Sequence, residues 1–271
     1  MNDRLAQMFA RTHAEGRPAL IPFVPGGWPE PGATLGIALA AVEGGADALE
    51  IGIPFSDPLA DGATNQLAYQ QALAQGVTLV KVLEAVREIR AAGVSVPLLL
   101  MGYCNPLFAY GLDRFVRDAA EAGVDGLIIV DLPPEEAGEL EPLARAAGLH
   151  MVYLLAPMST RDRIALVAAH ASGFIYCVSV TGVTGARAAL SDEVPAFIAR
   201  VRAETTLPLA VGFGISTHEQ VEAVGRVADA AVVGGAFVQI VSAASVEQRA
   251  QAVRAFVEGM IGRDGRHANG H

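Results

Sequence analysis

Short apolar runs rich in Val, Ile, Leu and Ala alternate along this chain with longer segments in which apolar residues recur every three or four positions. The short runs predict buried strands and the longer segments predict amphipathic helices. Their regular alternation predicts βα units, and eight such units indicate an α/β fold of the (β/α)8 TIM-barrel type. The predicted strands are 19–24, 47–53, 97–101, 126–130, 150–155, 174–178, 207–211 and 230–233.

The longer segments predict the helices of the barrel and the limits of the domain. A polar amphipathic stretch at 1–15 predicts an extra N-terminal helix, and Thr160 and Thr217 precede later helices as hydroxyl caps. No linker interrupts the alternation, so we expect one domain over 1–262 and a disordered polar tail at 263–271. The predicted barrel helices are 32–43, 66–92, 112–122, 134–147, 161–171, 192–203, 218–224 and 245–261.

The composition is typical of a folded enzyme and excludes several other classes. Of the 271 residues, 52% are hydrophobic and 18% charged, which excludes a disordered chain. No apolar run approaches the roughly 20 residues that span a bilayer, and no signal peptide is evident, so we expect a cytoplasmic protein. The net charge of −10 argues against nucleic acid and anionic membranes as partners. Cys104 and Cys177 are the only cysteines, and we expect free thiols.

Glu50 is the most informative residue, because it lies inside an apolar strand. Side chains alternate between the faces of a strand, so Glu50 points away from Leu49 and Ile51 and into the barrel if helices cover the other face. Burying even a neutral polar group without a partner costs roughly 2 to 7 kcal/mol, which indicates a catalytic role. The alternative is a glutamate that backbone amides satisfy at the strand end. Asp61 follows a proline-rich loop and is able to reach the open end of the barrel next to Glu50.

Glycine-rich turns follow the last two predicted strands, at 212–216 and 234–236. These are the places where TIM barrels commonly bind phosphate, and glycines allow backbone N–H groups to approach the oxygens. Each turn taken alone is also compatible with an ordinary loop. The Gly- and Thr-rich loop at 179–187 suits either a mobile lid or a polar surface loop.

The types of residue present limit the possible catalytic mechanisms. Lys81 is the only lysine and lies in a helical segment, which argues against a Schiff base. None of the six histidines falls at the carboxyl end of a predicted strand, so we expect no metal site. What remains is general acid/base catalysis by carboxylates on a phosphorylated small molecule, without a cofactor.

The motif PFSDPLADG at 54–62 and the motif GVTG at 182–185 resemble the tryptophan synthase α subunit family, including its stand-alone indole-3-glycerol phosphate lyases. The resemblance covers nearly the whole chain. It implies a reversible retro-aldol cleavage of indole-3-glycerol phosphate to indole and glyceraldehyde 3-phosphate, with neither metal nor cofactor. Further matching positions are 19–23, 76–78, Met101, Tyr103, Asn105, Pro106, 131–133, Glu135, Glu136 and 212–214.

The resemblance also implies residue roles. Glu50 would move protons between the glycerol hydroxyl and the indole carbon, Asp61 would bind the ring N–H, and Tyr176 would lie near the acid. The remaining implied contacts are of two kinds, to the indole ring and to the phosphate with its lid. Phe23, Leu100 and Tyr103 would flank the indole or simply pack in the core, Gly185, Gly214, Gly234 and Gly235 would donate to the phosphate, and Thr184 would order the lid.

A partner is implied by resemblance alone. Pro54 and Asp57 fall where the family's loop meets the pyridoxal-phosphate-dependent β subunit, which takes the indole in an α2β2 complex.

The alternative functions are a stand-alone lyase, a catalytically weak subunit that mainly activates the β subunit, and an isomerase or epimerase of a sugar phosphate. The last leaves the two-motif match unexplained.

Three positions depart from the family's pattern. Ala63 replaces a proline, Asn65 replaces an apolar residue, and Gly235 replaces a serine whose hydroxyl donates to phosphate. Because a hydrogen bond to a charged group contributes about 1.5 to 3 kcal/mol, weaker substrate binding is expected.

Overall fold

The computed structural model describes residues 3–179, 193–212 and 214–263. Within this part of the chain, nine parallel strands form one sheet in the order β5-β4-β3-β2-β1-β9-β8-β7-β6. The predicted TIM barrel is thereby confirmed. The strands are Ala19–Pro25 (β1), Leu49–Gly52 (β2), Leu98–Gly102 (β3), Gly126–Ile129 (β4), His150–Val152 (β5), Leu154–Leu155 (β6), Ile175–Val178 (β7), Leu209–Gly212 (β8) and Ala230–Val233 (β9).

The predicted strand at 150–155 is divided into β5 and β6, with Tyr153 between them. The first piece pairs with β4 and the second with β7. The N–H of Tyr176 donates to the carbonyl of Tyr153 at 3.0 Å, which continues the pairing across the break. The eight predicted strands thus become nine pieces of the same barrel.

Helices surround the sheet, and the extra N-terminal helix is α1. The hydroxyl cap predicted at Thr160 accepts from the N–H of Arg163, and Thr217 forms a reciprocal capping box with Gln220. The helices are Arg4–Ala14 (α1), Ala33–Glu43 (α2), Ala63–Ala74 (α3), Leu79–Ala91 (α4), Cys104–Tyr110 (α5), Leu112–Ala122 (α6), Leu140–Ala146 (α7), Arg161–His170 (α8), Glu193–Arg202 (α9), His218–Gly225 (α10), Gly235–Ala243 (α11) and Val246–Met260 (α12). None of the described helices is long and apolar enough to cross a membrane.

Two helix predictions are wrong in extent. The single helix predicted at 66–92 is two helices, α3 and α4, because Gly76 adopts a φ of +73° that ends the first of them. The helix predicted at 134–147 is a 3-10 turn, Pro134–Glu136, followed by α7. The short helix α5 has no counterpart among the predicted elements.

The two faces of each strand meet different surroundings. In the register of β1, β2 and β3, Phe23 aligns with Glu50 and Glu50 with Leu99. The next position aligns Ile51 with Leu100 on the opposite face. Since facing residues of paired parallel strands point to the same side, Glu50 shares the barrel interior with Phe23 and Leu99.

Three aspartates stabilise the N-terminal ends of the strands through hydrogen bonds and ion pairs. Asp47, Asp125 and Asp229 each accept a backbone N–H from the first or second residue of the neighbouring strand, at 2.7 to 2.9 Å. Each also pairs with at least one arginine. The carboxylates thus fix the register of β1 with β2, β3 with β4 and β8 with β9 at the end away from Gly234.

Candidate active site

A cavity of about 200 Å³ opens at the carboxyl ends of the strands. Its polar and aromatic lining comes from strands β1, β2 and β7, from the loop after β2 and from the first turn of α3, and glycines that follow β8 and β9 complete it. The described lining residues are Phe23, Glu50, Asp61, Gly62, Ala63, Thr64, Asn65, Met101, Tyr176, Gly214, Val232, Gly234 and Gly235.

Glu50 lies in the wall of this cavity and is 1% exposed. Its Oε2 atom is buried and has no hydrogen-bond partner among the described residues. Burial, with a smaller contribution from the charge of Asp61, raises the pKa of Glu50 to about 8. Glu50 is therefore protonated at neutral pH and able to act as an acid.

Asp61 follows the loop after β2 and is also buried, at 7% exposure. Its Oδ2 accepts from the hydroxyl of Tyr103 at 2.7 Å, and its Oδ1 accepts from Asn65 Nδ2 at 3.2 Å. Burial raises the pKa of Asp61, while these two hydrogen bonds lower it. Gln66 Nε2 donates to the Asp61 carbonyl at 2.8 Å, which ties the loop to helix α3.

Tyr103 joins this loop to the strand beneath it. Its hydroxyl accepts from the N–H of Ala60 at 3.1 Å and donates to Asp61, and its ring lies 5.1 Å from that of Phe55. Burial and Asp61 raise the pKa of Tyr103 well above its ordinary value, so the hydroxyl stays a donor. Tyr103 thus contacts Asp61 directly, and its predicted place beside the indole stays a prediction.

Two further tyrosines face the acids. Tyr176 comes from β7 and lines the cavity, whereas Tyr69 comes from α3 and was not singled out by the sequence. Burial, together with the charges of Glu50 and Asp61, raises the pKa of both hydroxyls well above the ordinary value. A Cβ at Gly212 would lie 2.1 Å from the Tyr176 hydroxyl, and a Cβ at Gly52 would lie 2.4 Å from that of Tyr69. Glycine is thus required in both strands to admit these rings.

Leu100 is not among the described residues that line the cavity and is fully buried in the core, which was the alternative role predicted for it. Its alignment with Ile51 places it on the strand face that points away from Glu50. Met101, one residue later, aligns with Gly52 and lines the cavity. A one-residue shift exchanges the two faces of a strand, so Met101 is the side chain that this strand offers to a ligand.

The glycine turns after β8 and β9 also border the cavity, through Gly214, Gly234 and Gly235. Gly214 has a φ of +79°, and Gly234 precedes helix α11, which starts at Gly235. Free N–H groups at this helix start suit an anion. A Cβ at Gly235 would meet nothing within 4 Å, so the missing serine side chain leaves open space. The predicted contacts at Thr184 and Gly185 lie outside the described residues, as does the loop at 180–192.

The loop with the predicted partner contacts borders the mouth. Pro54 is buried and Asp57 is exposed. Large apolar side chains on this side of the barrel are unusually exposed: 90% for Leu59, 92% for Met158 and 55% for Phe108. The partner role of Pro54 and Asp57 stays a prediction.

Comparison with known proteins gives a consistent result. A family described as tryptophan synthase alpha chain matches residues 9–262. The chain is 52% identical to the tryptophan synthase alpha chain of Roseiflexus castenholzii over 88% of this chain and 91% of the relative. It is 48% identical to that of Azoarcus sp. (strain BH72) over 95% of each. The crystal structure of the alpha subunit from Legionella pneumophila str. Paris superposes with a TM-score of 0.89 at 36% identity, covering 97% of this chain and 99% of the other.

Proposed function

Because this chain belongs to the tryptophan synthase alpha chain family, we propose that its cavity carries out the reversible retro-aldol cleavage of indole-3-glycerol phosphate to indole and glyceraldehyde 3-phosphate. The chain is a carbon–carbon lyase of tryptophan biosynthesis. The observation that carries the residue assignment is the buried carboxyl of Glu50, whose Oε2 has no hydrogen-bond partner among the described residues and which shares one cavity with Asp61 and two glycine turns.

Glu50 is the proposed acid and base. Protonated at the start, it gives its proton to C3 of the indole ring and becomes a carboxylate. That carboxylate takes the proton of the hydroxyl on the adjacent glycerol carbon while the bond between this carbon and C3 breaks. The bonding electron pair returns to the ring, the hydroxyl becomes the aldehyde, and Glu50 is again protonated.

Asp61 is the proposed electrostatic partner. Protonation of C3 places positive charge on the ring N–H, and an ionised Asp61 stabilises that charge in a site shielded from water. The hydrogen bonds from Tyr103 and Asn65 favour the ionised carboxylate. Phe23 and Met101 supply apolar surface for the ring, and Tyr176 packs beside the acid.

The phosphate is proposed to bind at Gly214, Gly234 and Gly235. The start of α11 offers backbone N–H groups there, and the family's serine hydroxyl is absent. Thr184 and Gly185 are proposed to close the site from the loop above. No lysine or arginine lies among the described lining residues, so backbone dipoles supply the attraction.

We further propose a pyridoxal-phosphate-dependent β subunit as the partner, in an α2β2 complex in the cytoplasm. The exposed Leu59, Met158 and Phe108 follow the carboxyl ends of β2, β6 and β3 and offer an apolar surface at the mouth. Pro54 and Asp57 belong to the same rim. This surface favours a subunit that works in a complex over a stand-alone lyase.

The Glu50→Gln variant tests the residue assignment. Because the amide neither donates nor accepts the transferred proton, indole release is expected to fall by about 10² to 10⁴-fold. The exposed Glu88→Gln on α4 is the matched control and is expected to release indole at the wild-type rate. Near-normal turnover by a folded Glu50→Gln protein would contradict the role of Glu50.

A further inference from the structure

Asn65 lies in the first turn of α3, between Asp61 and the glycine turn after β9. Its Nδ2 donates to Asp61 Oδ1 at 3.2 Å, and a Cβ at Gly234 would lie 3.8 Å from the same nitrogen. Asn65 also lines the cavity. The amide therefore stands inside the site beside one of its two acids.

The orientation of this amide follows from chemistry. An ionised carboxylate only accepts hydrogen bonds, so the NH2 end of Asn65 has to face Asp61. The other end, Oδ1, is then left buried, with no hydrogen-bond partner among the described residues. A buried acceptor without a partner destabilises the fold, and an apolar side chain of the same size would avoid that cost. Stability therefore does not explain an asparagine at this position.

The surroundings of Asp61 explain why an asparagine stands at position 65. Four titratable groups face Asp61: Glu50 from β2, Tyr69 from α3, Tyr103 after β3 and Tyr176 from β7. None of them carries positive charge, so hydrogen bonds have to offset the burial of the carboxylate. Tyr103 covers Oδ2 and Asn65 covers Oδ1, so each carboxylate oxygen receives one donor.

We propose that Asn65 is a positioning residue for Asp61, the second of two donors that hold its carboxylate ionised and aimed at the ring N–H of the substrate. This inference rests on the proposed function, in which Asp61 acts as an anion. Asn65 acts through Asp61 and does not itself take part in proton transfer.

The test compares the wild-type chain with Asn65→Leu, which keeps the size and removes the donor. Gln70→Leu, an exposed amide on the same helix, is the matched control. Indole release is measured across pH with the β subunit at saturation. In Asn65→Leu the acidic limb of kcat/KM is expected to move to higher pH, with a loss of about tenfold near pH 6 that largely disappears near pH 8. The melting temperature is expected to stay equal or to rise.

A second readout does not need turnover. The carboxyl carbon of Asp61 is titrated by NMR in aspartate-labelled wild-type and Asn65→Leu chains, and its midpoint is expected to lie at higher pH in the variant. An unchanged midpoint, or an equal loss of kcat/KM at every pH with a lowered melting temperature, would overturn the positioning role. A wild-type chain that releases no indole would instead contradict the proposed function, and the NMR titration would still decide the role of Asn65.

Discussion

At the scale of single residues, the proposed reaction requires a protonated Glu50 and an ionised Asp61. Glu50 has no donor on Oε2 and stays protonated, whereas Asp61 accepts from Tyr103 and Asn65. Burial raises the pKa of both side chains, and only Asp61 has side-chain hydrogen bonds that lower it again, which supports Glu50 as the proposed acid and Asp61 as the proposed anion.

The pH dependence of turnover follows from this difference. The pKa of Glu50 is raised to about 8 by burial and by Asp61, and the proposed cleavage starts from the protonated acid. We expect kcat/KM to fall as pH rises through about 8. A stopped assay of indole release over a pH series measures this fall. If the residual activity of Glu50→Gln showed the same fall of kcat/KM at basic pH, the fall would have to be assigned to another group.

Stability is expected to depend on pH through the same residue. The folded chain keeps the Glu50 proton up to about pH 8, whereas the unfolded chain releases it near 4.5, so the wild type loses stability as pH rises across this window. Glu50→Gln lacks this loss. The melting temperature of the variant relative to wild type is therefore expected to increase from pH 5 to pH 8 and then level off. Glu88→Gln serves as the control, and a difference that shrinks with pH would refute the raised pKa.

At the scale of strands and helices, small residues decide whether the site forms. The prediction concerns Gly212 in β8, where a Cβ would lie 2.1 Å from the Tyr176 hydroxyl. Gly212→Ala is expected to cost about 1 to 3 kcal/mol of stability and to displace Tyr176, with loss of turnover. Gly36→Ala in α2 is the matched control, because its Cβ would meet nothing within 4 Å, and it should stabilise by about 0.5 to 1 kcal/mol. Urea unfolding measures both, and equal stabilities would contradict the steric argument.

The sequence predicts some features of these strands and helices and leaves others open. Alternation within 47–53 predicted the inward face of Glu50, because Glu50 stands out among apolar neighbours. Alternation alone did not predict that Met101 rather than Leu100 faces the cavity, because three leucines precede Met101 and the choice depends on register with β2. The break between α3 and α4 depends on Gly76 at positive φ, which a periodicity of apolar residues does not reveal. The spacing of Asp61 and Asn65 was visible, but not that their side chains meet.

At the scale of the whole molecule, the two ends of the barrel have separate tasks. The carboxyl ends carry the cavity, while aspartates and arginines fix the strands at the other rim. We propose on this basis that 1–262 fold as one domain. The division predicts that changes at the rim reduce stability without altering the chemistry.

Asp125 tests this division. It pairs with Arg4 and with the largely buried Arg90, and it accepts from the N–H of Leu98 at 2.8 Å. Asp125→Ala leaves Arg90 buried without its partner, so we expect a loss of about 3 to 5 kcal/mol in urea unfolding. The exposed Glu121→Ala should change stability by less than about 0.5 kcal/mol. Folded Asp125→Ala is expected to keep the wild-type kcat, and a selective loss of kcat would contradict the division.

The central claim is that this chain cleaves indole-3-glycerol phosphate and passes indole to a β subunit. The most direct measurement is indole release by the purified chain while a β subunit from the same source is added in increasing amounts. We expect slow release by the chain alone and a sharp rise that saturates at one β subunit per chain. Absence of indole release both with and without β would contradict it.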